Sequence, residues 1–231
     1  MIRMINNHLS AEEIKSLQQL LLFWFVSNQR HFPWRESRNP FHILIAEKLL
    51  QQTSVGDRVI IAYCSIIKQY PDSKSLANAN SNNLKEFVNP LGLNYRSEEL
   101  INLASVLEKK YFGKIPDKYE LLIQLPGVGE YSARAILSFA YGFDVAVVDT
   151  NVARFLIRVF GIDIPMPSNP ARKKMLLDLA TSLIPTGRSR EYNLAVLDLC
   201  ALLCKIKNPH CDRCPINQIC FHYRTKLDDL Y

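Results

Sequence analysis

Of six cysteines, five lie between residues 200 and 220, and Cys204, Cys211, Cys214 and Cys220 are separated by six, two and five residues. Thiols at this density point to a metal rather than to disulfides. Thiolates bind soft metals, and a set of four suits either a zinc ion or an iron–sulfur cluster, so the count alone leaves both open. Cys200 precedes Cys204 by one helical turn. Cys200 and Cys64 are expected to be small buried hydrophobes instead of ligands.

Two carboxylates stand out for opposite reasons. Asp149 closes the apolar run Val145-Ala146-Val147-Val148 and precedes Thr150-Asn151-Val152-Ala153-Arg154. A carboxylate just before a helix is favoured in its charged form by the helix dipole, and an N-cap role alone would account for it. Glu47 lies in Ile43-Leu44-Ile45-Ala46-Glu47-Lys48-Leu49-Leu50. A carboxyl on an apolar helical face has a raised pKa and can donate a proton, whereas a solvent-facing Glu beside Lys48 would do nothing of the kind. Two carboxyl groups in unlike surroundings suit cleavage of a glycosidic bond.

A third feature is Leu125-Pro126-Gly127-Val128-Gly129, followed by Tyr131-Ser132-Ala133 and a helical stretch. Glycine permits positive φ and close backbone approach, and successive N–H groups beside a helix N-terminus form an anion site. Such a turn grips phosphate without reading sequence.

Together these segments resemble the helix-hairpin-helix (HhH-GPD) glycosylases of the MutY and endonuclease III superfamily. The resemblance runs from about Leu20 to Cys220. It rests on the hairpin, on Val147-Val148-Asp149-Thr150-Asn151-Val152-Ala153-Arg154, on Phe32-Pro33-Trp34-Arg35 through Glu47 to Gln51-Gln52-Thr53, and on the cysteine spacing. It implies that Cys204, Cys211, Cys214 and Cys220 hold a [4Fe–4S] cluster. It implies a double-stranded DNA partner bearing a mismatched or damaged base, bound by Gly127, Val128 and Gly129. Asp149 and Glu47 become the catalytic pair acting on an everted nucleotide, whose glycosidic bond is out of reach inside a duplex. Gln51 and Leu93 become the side chains that fill the vacated stack. Tyr131 joins the catalytic set as a diagnostic residue. The bifunctional branch has a Schiff-base Lys at this position, so a base should be released without efficient strand cleavage.

Within the superfamily, Phe23-Trp24, Arg30 through Arg35, Arg158-Val159-Phe160-Gly161 and Leu194 look like the Mig-type G·T mismatch thymine-DNA glycosylases. Gln51-Gln52-Thr53 and Val55 look like MutY adenine glycosylases. Val55 and Leu194 are the expected pocket residues, and Leu194 offers fewer hydrogen bonds to adenine than the Gln of MutY. With so short a segment after Cys220, the domain with which MutY reads 8-oxoguanine is not expected. Thymine or uracil opposite guanine is therefore the expected target. Arg96, Lys205 and Lys207 could meet phosphates, although isolated surface cations mostly face water.

The elements that must position these residues are helical. Ser10 with Glu13 forms a capping-box pattern ahead of Ile14, Leu17, Leu21 and Trp24, and Asn39-Pro40 begins a helix through Phe41–Gln52. Further helices fit Val55–Gln69, Arg96–Lys110, Glu130–Tyr141, Asn151–Phe160, Pro170–Ile184 and Glu191–Cys204. Val145–Val148 is β-like but isolated. The chain is expected to be all-α, with two lobes: a barrel-like hairpin domain over residues 32–143, and a discontinuous cluster domain of residues 1–31 and 144–231.

In bulk, 231 residues with 48% hydrophobic content suffice for real cores. Lys and Arg total 28 against 22 Asp and Glu, a net +6 that suits a polyanionic partner. The longest apolar run, Leu20–Val26, spans seven residues, too few for a bilayer. No secretory signal pattern is evident, so a cytoplasmic chain without membrane attachment is expected; the resemblance implies a prokaryotic enzyme acting as a monomer.

Overall fold

A computed structural model describes residues 8–53, 55–92 and 95–228. The described residues form helices and turns with no strand. In chain order the helices are α1 (Ala11–Asn28), α2 (Pro33–Glu36), α3 (Pro40–Leu50), α4 (Asp57–Gln69), α5 (Ser73–Ala77), α6 (Ser81–Val88) and α7 (Arg96–Tyr111). They continue with α8 (Tyr119–Leu122), α9 (Glu130–Phe139), α10 (Thr150–Phe160), α11 (Lys174–Ser182), α12 (Ser189–Leu202) and α13 (Phe221–Asp228). None of them is long and apolar enough to cross a membrane. The chain divides into two compact units, His31–Tyr141 and Met1–Arg30 with Gly142–Tyr231.

In the unit His31–Tyr141, α3 is the central helix. Eight of its eleven residues, from Phe41 and Ile43 to Leu49, are buried, so it is covered almost all round rather than along one stripe. It packs against α4 and α9, while α5 packs on α7. Asn39 caps α3 by accepting from the Phe41 amide at 2.9 Å, with Pro40 in the first turn. The α4 helix begins at Asp57, after the predicted Val55, because Gly56 is fully extended and serves as its N-cap.

In the other unit, α1 starts with the predicted capping box: the Glu13 amide donates to Ser10 Oγ at 3.2 Å and the Ser10 amide to Glu13 Oε2 at 2.8 Å. Leu17 and Leu21 of α1 enter one apolar core with Val152, Phe155 and Val159 of α10 and Val196 and Leu199 of α12. Asp198 of α12 is fully buried and accepts from the Arg30 amide at 2.9 Å and Arg30 Nε at 2.6 Å, fastening the chain after α1. The helix predicted over Pro170–Ile184 is split: Pro170–Arg172 is a 3₁₀ turn, and extended Lys173 separates it from α11.

The β-like run Val145–Val148 is extended, yet no strand pairs with it. Asn193 of α12 stands in for the missing partner. Its Oδ1 accepts from the Val147 amide at 3.1 Å, and its Nδ2 donates to the Val145 carbonyl at 2.9 Å and Ser189 Oγ at 3.1 Å. A buried N–H without a partner costs about 1–3 kcal/mol. Replacing Asn193 with Leu is therefore expected to lower stability by about 2–4 kcal/mol in urea unfolding; a loss below about 0.5 kcal/mol would show that the run does not depend on this amide.

Candidate active site and cysteine centre

The hairpin is built first by a turn. Pro126 is followed by Gly127 at φ +69°, and the Val128 amide closes on the Leu125 carbonyl at 3.1 Å, the pattern of a type II turn. Val128 is buried and anchors the turn, while Gly127 and Gly129 are exposed. The chain's own conformation treats the two glycines differently. At Gly127 the positive φ favours glycine, and a Cβ there would push aside Lys48 Nζ, the end of a flexible side chain. At Gly129, the N-cap of α9, the backbone is extended and a Cβ would meet nothing within 4 Å. Any demand for glycine at that position comes from something approaching from outside.

Glu47 is 7% exposed, which excludes the solvent-facing alternative. Its neighbour Lys48 is also buried, which the sequence did not reveal. Lys48 Nζ donates to Glu99 Oε2 at 3.1 Å, Gln51 Oε1 at 3.2 Å and the Gly127 carbonyl at 3.3 Å. Gln51 lies just past α3, and its Nε2 donates to the same Gly127 carbonyl at 3.0 Å. Arg96, weighed above as a surface cation for phosphate, is buried instead. It donates to the Leu49 carbonyl at 2.9 Å, Thr53 Oγ1 at 2.9 Å and the Gln51 carbonyl, so it closes the C-terminal end of α3. Tyr131 is half-buried in the first turn of α9, and Val55 is 40% exposed before α4. Leu93 lies outside the described residues.

Asp149 is the N-cap of α10, with Oδ1 accepting from the Val152 amide at 2.8 Å. Its second oxygen accepts from Asn151 Nδ2 at 2.8 Å. Asn151 Oδ1 in turn accepts from an Arg154 terminal nitrogen at 3.1 Å. Arg154, itself buried, grips the Cys204 carbonyl through two nitrogens at 2.9 and 3.1 Å. Asn151 and Arg154 sit inside the motif around Asp149, so their spacing was visible; their partnership was not. Leu194 is buried in α12 at 8% exposure.

Cys204, Cys211, Cys214 and Cys220 border one cavity of about 370 Å³, part of it open to solvent, walled also by Phe155, Leu199 and Ile216. Among the described residues, no three His, Cys, Asp or Glu side chains could share a single metal ion. Thiols lining one cavity fit a soft metal or an iron–sulfur group. Burial pushes the Cys214 thiol up to about 12 and raises that of Cys220. A bound metal would supply the positive charge that such desolvated sulfurs need to ionise. Arg158 Nη1 lies 3.4 Å from Cys204 Sγ and also donates to the Lys205 carbonyl at 2.6 Å. Cys200 does not border the cavity; it is buried, and its thiol donates to the Asn151 carbonyl at 3.3 Å. Cys64 is exposed, which corrects its expected burial.

A profile described as "HhH-GPD superfamily base excision DNA repair protein" matches residues 45–178. A thymine-DNA glycosylase of Aeropyrum pernix is 34% identical, over 94% of this chain and 98% of that protein. An adenine DNA glycosylase of Buchnera aphidicola subsp. Baizongia pistaciae is 33% identical, over 89% of this chain and 58% of that protein. The solved structure of a thermostable thymine-DNA glycosylase superposes with a TM-score of 0.86 at 31% identity, covering 93% of this chain and 98% of that one.

The glycine pair gives a direct test. Gly127→Ala is expected to lower stability by about 2 kcal/mol or more, through positive φ and the displacement of Lys48 Nζ. Gly129→Ala should cost under about 1 kcal/mol, the scale of an N-cap change, yet weaken duplex binding measurably. Equal stability losses in the two variants, with unchanged DNA binding by Gly129→Ala, would contradict the division of labour.

Proposed function

Because the chain belongs to the HhH-GPD superfamily of base excision DNA repair proteins, we propose that it is a monofunctional DNA N-glycosylase that everts and hydrolytically removes thymine or uracil mispaired with guanine. The supporting observation is the match to a thymine-DNA glycosylase along 94% of this chain and 98% of that protein. Uracil follows from thymine on physical grounds. Both present the same hydrogen-bonding edge, and a pocket that admits a methyl group discriminates against its absence by only about 1–3 kcal/mol.

The chemistry divides between the two carboxylates. Asp149, with both oxygens already accepting N–H bonds at the head of α10, offers preorganised negative charge to the sugar as positive charge develops there. Glu47 handles the proton, giving it to the departing base or taking it from water. Gly127, Val128 and Gly129 hold the phosphate backbone, and Gln51 enters the stack. Val55 and Leu194 are the proposed pocket residues. Tyr131 supplies no amine, so hydrolysis proceeds without a covalent sugar adduct. Cys204, Cys211, Cys214 and Cys220 would hold a [4Fe–4S] cluster, which would staple the loop that follows α12.

A duplex panel of G·T, G·U, A·G and A·8-oxoguanine tests the substrate, with thymine and uracil release expected. Release of adenine alone would replace this assignment with a MutY-like one. Asp149→Asn and Glu47→Gln are each expected to slow base release by roughly 10²–10⁴-fold with duplex binding retained. Unchanged turnover would remove the residue concerned from the mechanism. Borohydride trapping on abasic DNA should yield no adduct. The purified protein should carry iron and acid-labile sulfide in equal amounts, lost in Cys211→Ser; zinc in their place would refute the cluster.

A further inference from the structure

Lys48 is a buried ammonium that the proposed chemistry does not use, and its position is unusual. Its side chain is 2% exposed, while that of its only ionic partner among the described contacts, Glu99, is 42% exposed. Burying a lysine is costly unless its donors are occupied, and here they are directed at three acceptors. Two of those acceptors belong to parts with separate proposed duties: the Gly127 carbonyl of the phosphate-gripping turn, and the Oε1 of Gln51. Gln51 also donates from Nε2 to the Gly127 carbonyl at 3.0 Å. Gln51, Lys48 and the turn thus close a three-cornered set of hydrogen bonds, and in the free chain the Gln51 amide is parked on the hairpin.

We propose that Lys48 is a positioning residue that releases Gln51 into the duplex by taking over its hydrogen bond to the Gly127 carbonyl. When Gln51 swings away, the carbonyl loses its 3.0 Å donor, but Lys48 Nζ is already 3.3 Å from the same oxygen. Lys48 also loses one acceptor, Gln51 Oε1, and keeps Glu99 and Gly127. The hairpin therefore holds its shape whether Gln51 is parked or inserted. With an apolar side chain at position 48, Gln51 would be the carbonyl's one remaining side-chain donor of the pair, and the parked arrangement would be favoured. Lys48 Nζ lies beside the position that a Cβ on Gly127 would take, so the ammonium rests against the turn. This inference rests on the proposed roles of Gln51 and the hairpin.

A double-mutant cycle on whichever mispair the wild-type protein processes tests it, with single-turnover base release at saturating duplex as one readout. The second readout is the fluorescence of a 2-aminopurine placed beside the target base, which reports disruption of the stack. Lys48→Met is expected to slow release roughly tenfold, the scale of one lost hydrogen bond to a charged group. Gln51→Ala should do about the same. The double variant should be no slower than the worse single one, because a parked Gln51 and an absent Gln51 are equivalent at the stack. In Lys48→Met the 2-aminopurine signal should fall, while affinity for fully paired duplex stays within about threefold and the thermal midpoint does not drop. Glu99→Gln leaves both Lys48 contacts to the hairpin and Gln51 in place and should release base within about twofold of wild type.

Multiplying losses in the double variant would overturn the coupling, as would a wild-type rate in Lys48→Met or a tenfold loss in Glu99→Gln. A wild-type rate in Gln51→Ala would instead remove Gln51 from the duplex, and the inference with it. If Lys48→Met does not fold, Lys48→Gln, which keeps a donor without the charge, takes its place: release within about threefold of wild type is expected, and a tenfold loss would overturn the inference.

Discussion

Several turns and helix ends in this protein depend on one kind of interaction: a cationic side chain clamped onto backbone carbonyls. Within His31–Tyr141, Arg96 holds the carbonyls of Leu49 and Gln51, and Lys48 holds that of Gly127. Within the other unit, Arg154 holds the Cys204 carbonyl, and Arg158 holds those of Lys205 and Ile206. Helix ends and irregular turns leave carbonyls without intrahelical partners, and an unsatisfied buried carbonyl is expensive. A guanidinium supplies several N–H donors in a fixed fork, and its charge also favours the negative end of a helix. Each clamp lets an irregular segment keep a defined shape.

The clamps explain how a carboxylate can be held before any ligand arrives. Asp149 is fixed from two directions: the extended run before it is hydrogen-bonded to Asn193, and α10 begins on its own side chain. Its second oxygen is held by Asn151, which Arg154 holds in turn while gripping the Cys204 carbonyl. The head of α10 and the first cysteine of the cavity thus belong to one hydrogen-bonded chain. A carboxylate so constrained needs little reorganisation when charge develops near it.

What the sequence revealed was local. The capping box of Ser10 and Glu13, the Asn39-Pro40 start and the N-cap Asp149 each involve partners within four residues, so their signals are written in short patterns. The hairpin was legible because positive φ at Gly127 has a sequence correlate. Arg96 was misjudged because its partners lie 43 to 47 residues away and two of the three are backbone oxygens, which any residue could supply. Lys48 escaped notice for the same reason, its contact to Gly127 spanning 79 residues. The break at Lys173 and the late start of α4 reflect single backbone angles, not side-chain periodicity.

The Asn193 amide has a consequence beyond stability. Val145–Val148 is apolar and extended, and a stretch of that kind with vacant ladder positions is a template for pairing with another chain. Here the Val147 donor and the Val145 acceptor are both occupied by a single side chain of the same unit. A side chain ends where it is, whereas a neighbouring strand would offer a fresh edge on its far side. The segment leading to Asp149 therefore gains the straightness of a strand without the self-association hazard that an open sheet edge would bring.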